Sequence, residues 1–126
     1  MNKNVKRRDE ILFDSADVDY KFGGIEHFRG VDCDTLEQLL NEDFINPEEC
    51  QNYSPSTEEF FEFMKKHPEF TAHGYAVSPK RSDYRITIEG IESDEDCNNQ
   101  EVLEDFINLC RFADEFCLHP PYAWWD

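Results

Sequence analysis

Basic residues are scarce. Twelve Lys and Arg stand against 29 Asp and Glu in 126 residues, a formal net charge of minus 17 at neutral pH, and the sequence pI is near 4.4. A surface of that sign repels phosphate backbones and anionic headgroups, so neither direct nucleic-acid binding nor membrane attachment is expected. Glycine is scarce too. Of five glycines only Gly23 and Gly24 are adjacent, and neither Lys nor Ser/Thr follows them in the required register. That excludes a phosphate-cradling loop, and no dinucleotide fingerprint or nucleophile elbow is present. No window approaches eighteen apolar residues, the length a membrane-spanning helix needs. The basic start is followed by Asp9, Glu10, Asp14, Asp17 and Asp19, which interrupt the apolar run Ile11 to Phe13, so a secretory signal is not expected.

The cysteines offer no framework either. Cys33, Cys50, Cys97, Cys110 and Cys117 are odd in number and contain no C-x-x-C pair, which reads as reduced thiols in a cytoplasmic protein. The nearest approach to a zinc set is Cys110 with Cys117-Leu118-His119, but Cys110 and Cys117 share the apolar phase of one expected helix and read as a core seam. Calcium fares no better. Counting Asp17 as the first position of a calcium loop, after Asp14 and before Asp19, puts Phe22 where glycine is needed and Phe28 where a bidentate glutamate is needed. No metal or other cofactor is expected.

What is present suffices for one domain. Hydrophobic residues make up 39% and include eleven Phe, enough for a packed core despite a mean hydropathy of minus 0.76. Lys3, Lys6, Arg7 and Arg8 lead the chain, so residues 1–10 read as a flexible basic arm before a single acidic domain over 11–126. The remaining eight basic residues face all 29 acids, about one uncompensated charge per ~330 Å² of a surface that scales to ~7,000 Å² for this mass.

Val18, Tyr20 and Phe22 alternate with Asp19 and Lys21, and Gly23-Gly24 tolerates positive φ before Ile25 to Phe28. The pattern predicts a hairpin pairing Phe22 with Ile25 and Lys21 with Glu26. Asp34 and Glu37 have capping-box spacing ahead of Leu36, Leu39 and Leu40, predicting a helix over 35–43, and Asn46-Pro47-Glu48-Glu49 predicts a short helical turn. Ser56 and Glu59 repeat the capping box before Phe60, Phe61, Phe63 and Met64, with Pro68 as the stop. Two strands, Phe70 to Val77 and Tyr84 to Ile91, flank the turn Ser78 to Asp83. Asn98-Asn99 then caps a long helix carrying Val102, Leu103, Phe106, Ile107, Cys110, Ala113 and Cys117 on one face. The expected class is α+β, a small antiparallel sheet of two hairpins with about three helices on one face. The tail His119 to Trp125 is not helical, and its Tyr122, Trp124 and Trp125 either fold onto the core, the favoured use, or project as a partner's anchor.

Candidate chemistry is sparse. His73 sits on an expected strand beside Gly74, which permits close approach of a backbone or a ligand; a packing role outweighs a general base in a small hydrolase. Lys80, Arg81 and Arg85 form a basic cluster able to seat an anion, unless acids of the same molecule answer them. Ser78-Pro79-Lys80-Arg81 also has the form of a proline-directed phosphorylation site. The acidity itself remains. Glu37, Glu42, Asp43, Glu48, Glu49, Glu58, Glu59 and Glu62, together with Trp124 and Trp125, are the expected partner-binding residues of a non-enzymatic protein that engages a basic protein surface. In composition the chain resembles phage-encoded DNA mimics that inhibit restriction or CRISPR nucleases, and also bacterial immunity proteins that neutralise basic toxins. A soluble accessory domain, acidic only for solubility, is the remaining alternative.

Overall fold

The strongest local signal is realised in full in the computed structural model, which describes residues 1–15, 17–20 and 23–126. The Ser56 side chain accepts from the Glu59 N–H while the Glu59 carboxylate accepts from the Ser56 N–H, completing the capping box of helix Thr57–Lys66. That helix (α3) buries Phe60, Phe63 and Met64 and places Glu58 and Glu59 on its first turn and Lys65 and Lys66 on its last, as the helix dipole favours. Helix Cys33–Asn41 (α2) starts two residues before the expected position, because Asp32 and not Asp34 caps it, accepting from the Thr35 N–H at 2.8 Å. Its Leu36 and Leu39 are fully buried. Asn46 caps the turn that follows, its side chain accepting from the Glu48 N–H.

Two expectations are corrected at the ends of the chain. The segment read as an arm is helical over Val5–Phe13 (α1), and Arg8 and Asp9 are buried in the body. Arg8 donates to Asp9 (3.1 Å) and to the Val77 carbonyl (3.0 Å) and lies over the Tyr84 ring, while the Tyr20 hydroxyl donates to Asp9 at 2.7 Å. Partners distant in sequence convert two charges of an apparent surface arm into a buried pair. The last helix, Gln100–Leu109 (α4), is capped by Asn99 as expected but stops at Leu109. Cys117 therefore lies exposed on a strand, off the helix on which it was expected.

The strands are Ile25–Val31 (β1), Thr71–Val77 (β2), Ile86–Glu92 (β3), Glu115–Leu118 (β4) and Pro121–Trp124 (β5). They form an antiparallel sheet in the order β1-β2-β3-β5-β4. With four helices among the described residues this is an α+β fold, with a larger sheet than the two expected hairpins imply. The β2–β3 hairpin is the predicted one. The described residues do not show the N-terminal hairpin: residues 17–20 form no strand and β1 pairs with β2, Ile25 opposite Val77, while the expected pairings of Lys21 and Phe22 rest on residues outside the described ones. Gly23 and Gly24 do take positive φ. The tail supplies the second hairpin, β5 adding to β3 and β4 to β5.

One core lies between helices and sheet. It joins Leu36, Leu39, Phe60, Phe63, Met64 and Phe106 to Phe28, Val31, Ala72, Ile86, Ile88, Ile91 and Ala123. Side chains opposed across antiparallel strands share a face, so the rows His27–Tyr75–Thr87, His73–Gly90–Trp124 and Glu92–Tyr122–Cys117 occupy the other face. None of these residues joins the core cluster, and their side is the open face of the sheet.

Candidate functional site

The expected partner-binding acids fall into two groups. Glu42 ends α2 and accepts a bidentate pair from Arg7 (2.9 and 3.0 Å), Asp43 adopts a left-handed φ of 61° with its carboxylate 3.5 Å from the N-terminal amine, and Glu49 lies 3.6 Å from Arg85. These serve to hold the chain's own elements together. Glu37, Glu48, Glu58 and Glu59 are exposed, and so is Glu62, with Lys65 at 3.8 Å. Hydrogen bonds from the Glu58 N–H to the Pro47 carbonyl and from the Thr57 N–H to the Glu49 carbonyl bring Glu48 and Glu49 beside the first turn of α3. Glu58 and Glu62, four residues apart, then share one side of that helix, where like charges repel.

The Trp pair divides. Trp125 has no exposed surface and packs edge-on to Phe60 with ring centroids 5.4 Å apart, which removes it from any partner contact. Trp124 is half-buried on the open face of the sheet. The basic cluster is answered within the molecule: Arg81 forks onto Asp83 (2.9 and 2.7 Å), and Arg85 reaches Asp83, the Tyr75 hydroxyl and Thr87. Those two guanidinium groups hold the Asp83 carboxyl below the usual carboxylate range. Lys80 is exposed on the same turn.

The open face carries a concavity of about 290 Å³ lined by His27, Phe28, Arg29, His73, Gly74, Glu89 and Tyr122. His73 is in position because Gly90 has no side chain: a Cβ there would stand 1.9 Å from the His73 Nε2. A bulge separates His73 from Gly74, where a Cβ would meet the Thr87 carbonyl oxygen at 2.0 Å, the close backbone approach expected at this glycine. The imidazole stacks on Tyr122 (centroids 5.5 Å apart, 8° between planes). Both its nitrogens are buried without a hydrogen-bond partner, the Glu92 carboxylate lying 4.0 Å from Nδ1. Burial pushes the His73 pKa below its ordinary value; Glu92 opposes that and Arg29 adds to it.

Matched against known proteins, the chain finds no family model, no curated protein and no solved structure. Arg29 grips Glu92 through Nε (2.5 Å) and Nη2 (2.7 Å), and this bidentate bond holds the largely buried Glu92 below the ordinary carboxylate range. Glu89 also lines the concavity, its side chain 14% exposed and 3.4 Å from the His27 Nδ1. Sequence reasoning singled out His73, and Tyr122 only as one of the tail aromatics, but missed Arg29, Glu89 and Glu92. Strand alternation does set His73 and Tyr75 on one side. Tyr122 needed the tail to be recognised as a strand.

Among the described residues no group of three or more His, Cys, Asp or Glu is arranged to hold a metal ion, and no helix is long and apolar enough to cross a membrane.

Proposed function

We propose that this chain is a non-enzymatic cytoplasmic binding protein whose carboxylate surface engages a basic protein, competing with nucleic acid for the groove of a nuclease. The supporting observation is where its cations are committed. Arg7, Arg8, Arg29, Lys66, Arg81 and Arg85 all lie in ion pairs with the molecule's own acids. Glu37, Glu48 and Glu58 form no ion pair among the described residues and remain exposed around α2 and α3. A duplex presents one negative charge about every 1.7 Å of its axis, and a protein surface dense in carboxylates offers a basic groove the same long-range attraction. The buried ring nitrogens of His73 favour binding over general-base chemistry, because neither nitrogen is exposed to solvent.

The test is binding to a panel of DNA- and RNA-cleaving enzymes, with duplex DNA as competitor and salt as a variable. Affinity should fall steeply with salt and be competed by duplex. Reversing Glu58, Glu59 and Glu62 to Lys should weaken it at least tenfold more than reversing the exposed Glu69, Asp96 and Glu115, and His73→Ala should leave it intact. Salt-insensitive binding, or equal effects of the two triple reversals, would refute the proposal.

A further inference from the structure

The concavity is lined by residues of β1, β2, β3 and β5 and by none of the α2–α3 carboxylates, and its lining has a chemistry of its own. Arg29 and Glu92 neutralise each other in a bidentate pair. With histidines counted neutral and Arg29 paired, the one formal charge left over among the described lining residues is Glu89. Its side chain is mostly withdrawn from water, and among the described residues its one ionic neighbour is His27 at 3.4 Å. No hydrogen bond to this carboxylate is made by the described residues and neither oxygen is sealed from solvent, so both are open to a donor.

The remainder of the lining is flat and aromatic. His73 and Tyr122 form a stacked wall, the His27 imidazole stands on the β1 side, and the Gly74 backbone completes the lining. Rings beside a lone carboxylate suit a planar, weakly hydrated cation, which can fork onto both carboxylate oxygens while lying against the ring faces. At about 290 Å³ the space is just below the usual ~300–1,000 Å³ range of small-molecule sites, so it admits one side chain or a small molecule. We propose that this concavity is a guanidinium-binding site, in which Glu89 takes the fork of an arginine side chain and Tyr122, His73 and His27 flank its plane. The site stands independently of the α2–α3 surface.

The experiment is a titration of the full chain with N-acetyl-arginine amide at low salt, followed by backbone amide shifts. Parallel titrations use the citrulline analogue, neutral and nearly isosteric, and the lysine analogue. Shifts should concentrate at His27, Gly74, Glu89 and Tyr122. Glu89→Gln should weaken binding at least tenfold and Tyr122→Leu should weaken it also, while Glu58→Gln leaves it unchanged. The citrulline compound should not bind and the lysine compound should bind less tightly. A pentapeptide carrying one central arginine should bind at least as well as the free derivative, the side chain being the recognised group.

Arginine shifts scattered over surface acids, citrulline binding equal to arginine, or an unaltered affinity in Glu89→Gln with its melting temperature retained would each overturn the assignment. Equal affinity for the lysine compound would overturn its guanidinium selectivity. Reversal of Glu58, Glu59 and Glu62 leaves this site untouched, so failure here and failure of the α2–α3 surface are separately visible.

Discussion

Replacing Trp125 by Ala should be among the most damaging single changes in the molecule. The side chain has no exposed surface, and its ring packs edge-on to Phe60 with centroids 5.4 Å apart. Burying about 200 Å² at ~25 cal/mol per Å² amounts to ~5 kcal/mol, and an aromatic pair of this kind adds ~1 kcal/mol. Against that stands the indole Nε1, buried without a hydrogen-bond partner, which costs ~1–3 kcal/mol. The net, ~3–5 kcal/mol, agrees with the usual loss for truncating a core aromatic. It is a large share of the stability of a domain this size. At ~4 °C per kcal/mol the melting temperature should fall by ~12–20 °C, read by far-UV circular dichroism.

Trp125→Phe separates the contributions. It keeps a ring against Phe60 and removes the unsatisfied N–H, so it should cost less than ~2 kcal/mol. Trp124, half-buried on the sheet's open face, remains in both variants as a fluorophore. Wild-type emission should be blue-shifted relative to either variant. A loss below ~1 kcal/mol in Trp125→Ala, or Trp125→Phe as damaging as Trp125→Ala, would refute the reasoning.

Thiol titration of native protein should label Cys50 and Cys117 quickly and Cys110 last, because burial pushes the Cys110 thiol up to about 12, whereas denatured protein should release all five; Cys110 reacting as fast as Cys117 would place α4 wrongly. Gly74→Ala should cost at least ~2 kcal/mol in urea unfolding, since its Cβ would overlap the Thr87 carbonyl oxygen at 2.0 Å and no side-chain movement relieves a clash with backbone. Because Arg29 lowers the folded-state pKa of Glu92, the stabilisation is complete above the unfolded value of ~4.3 and is lost as pH falls through the lower folded one. The stability gap between wild type and Arg29→Ala should therefore be widest near neutral pH and close on acidification below ~4; a gap that grows in acid would contradict the pairing.

Local chemistry accounts for the elements that were legible. Ser56 and Glu59 form a capping box within four residues, Asn99 caps α4 from adjacent residues, and β2 and β3 are joined by a short turn. None of these needs a distant partner. The same holds for the packing reading of His73, since a glycine beside a strand histidine already signals a close approach. Candidate-site residues were less accessible. Glu42, Asp43 and Glu49 read as free acids until Arg7, the N-terminal amine and Arg85 were placed beside them.

By itself the sequence determined the acidic surface, the α+β class, the capped helices and the central hairpin, because composition and short-range spacing carry that information. Tertiary structure alone decided three things. It buried Arg8 and Asp9, whose partners Val77, Tyr20 and Tyr84 lie up to 76 residues further along the chain. It ended α4 at Leu109 although the 3.6-residue pattern runs on to Cys117, because β4 and β5 hydrogen-bond into the sheet and satisfy backbone groups that a longer helix would have paired internally. It also built the concavity, since Arg29, Glu89, Glu92, His73 and Tyr122 come from four strands whose order in the sheet is set by long-range pairing, which no local pattern encodes.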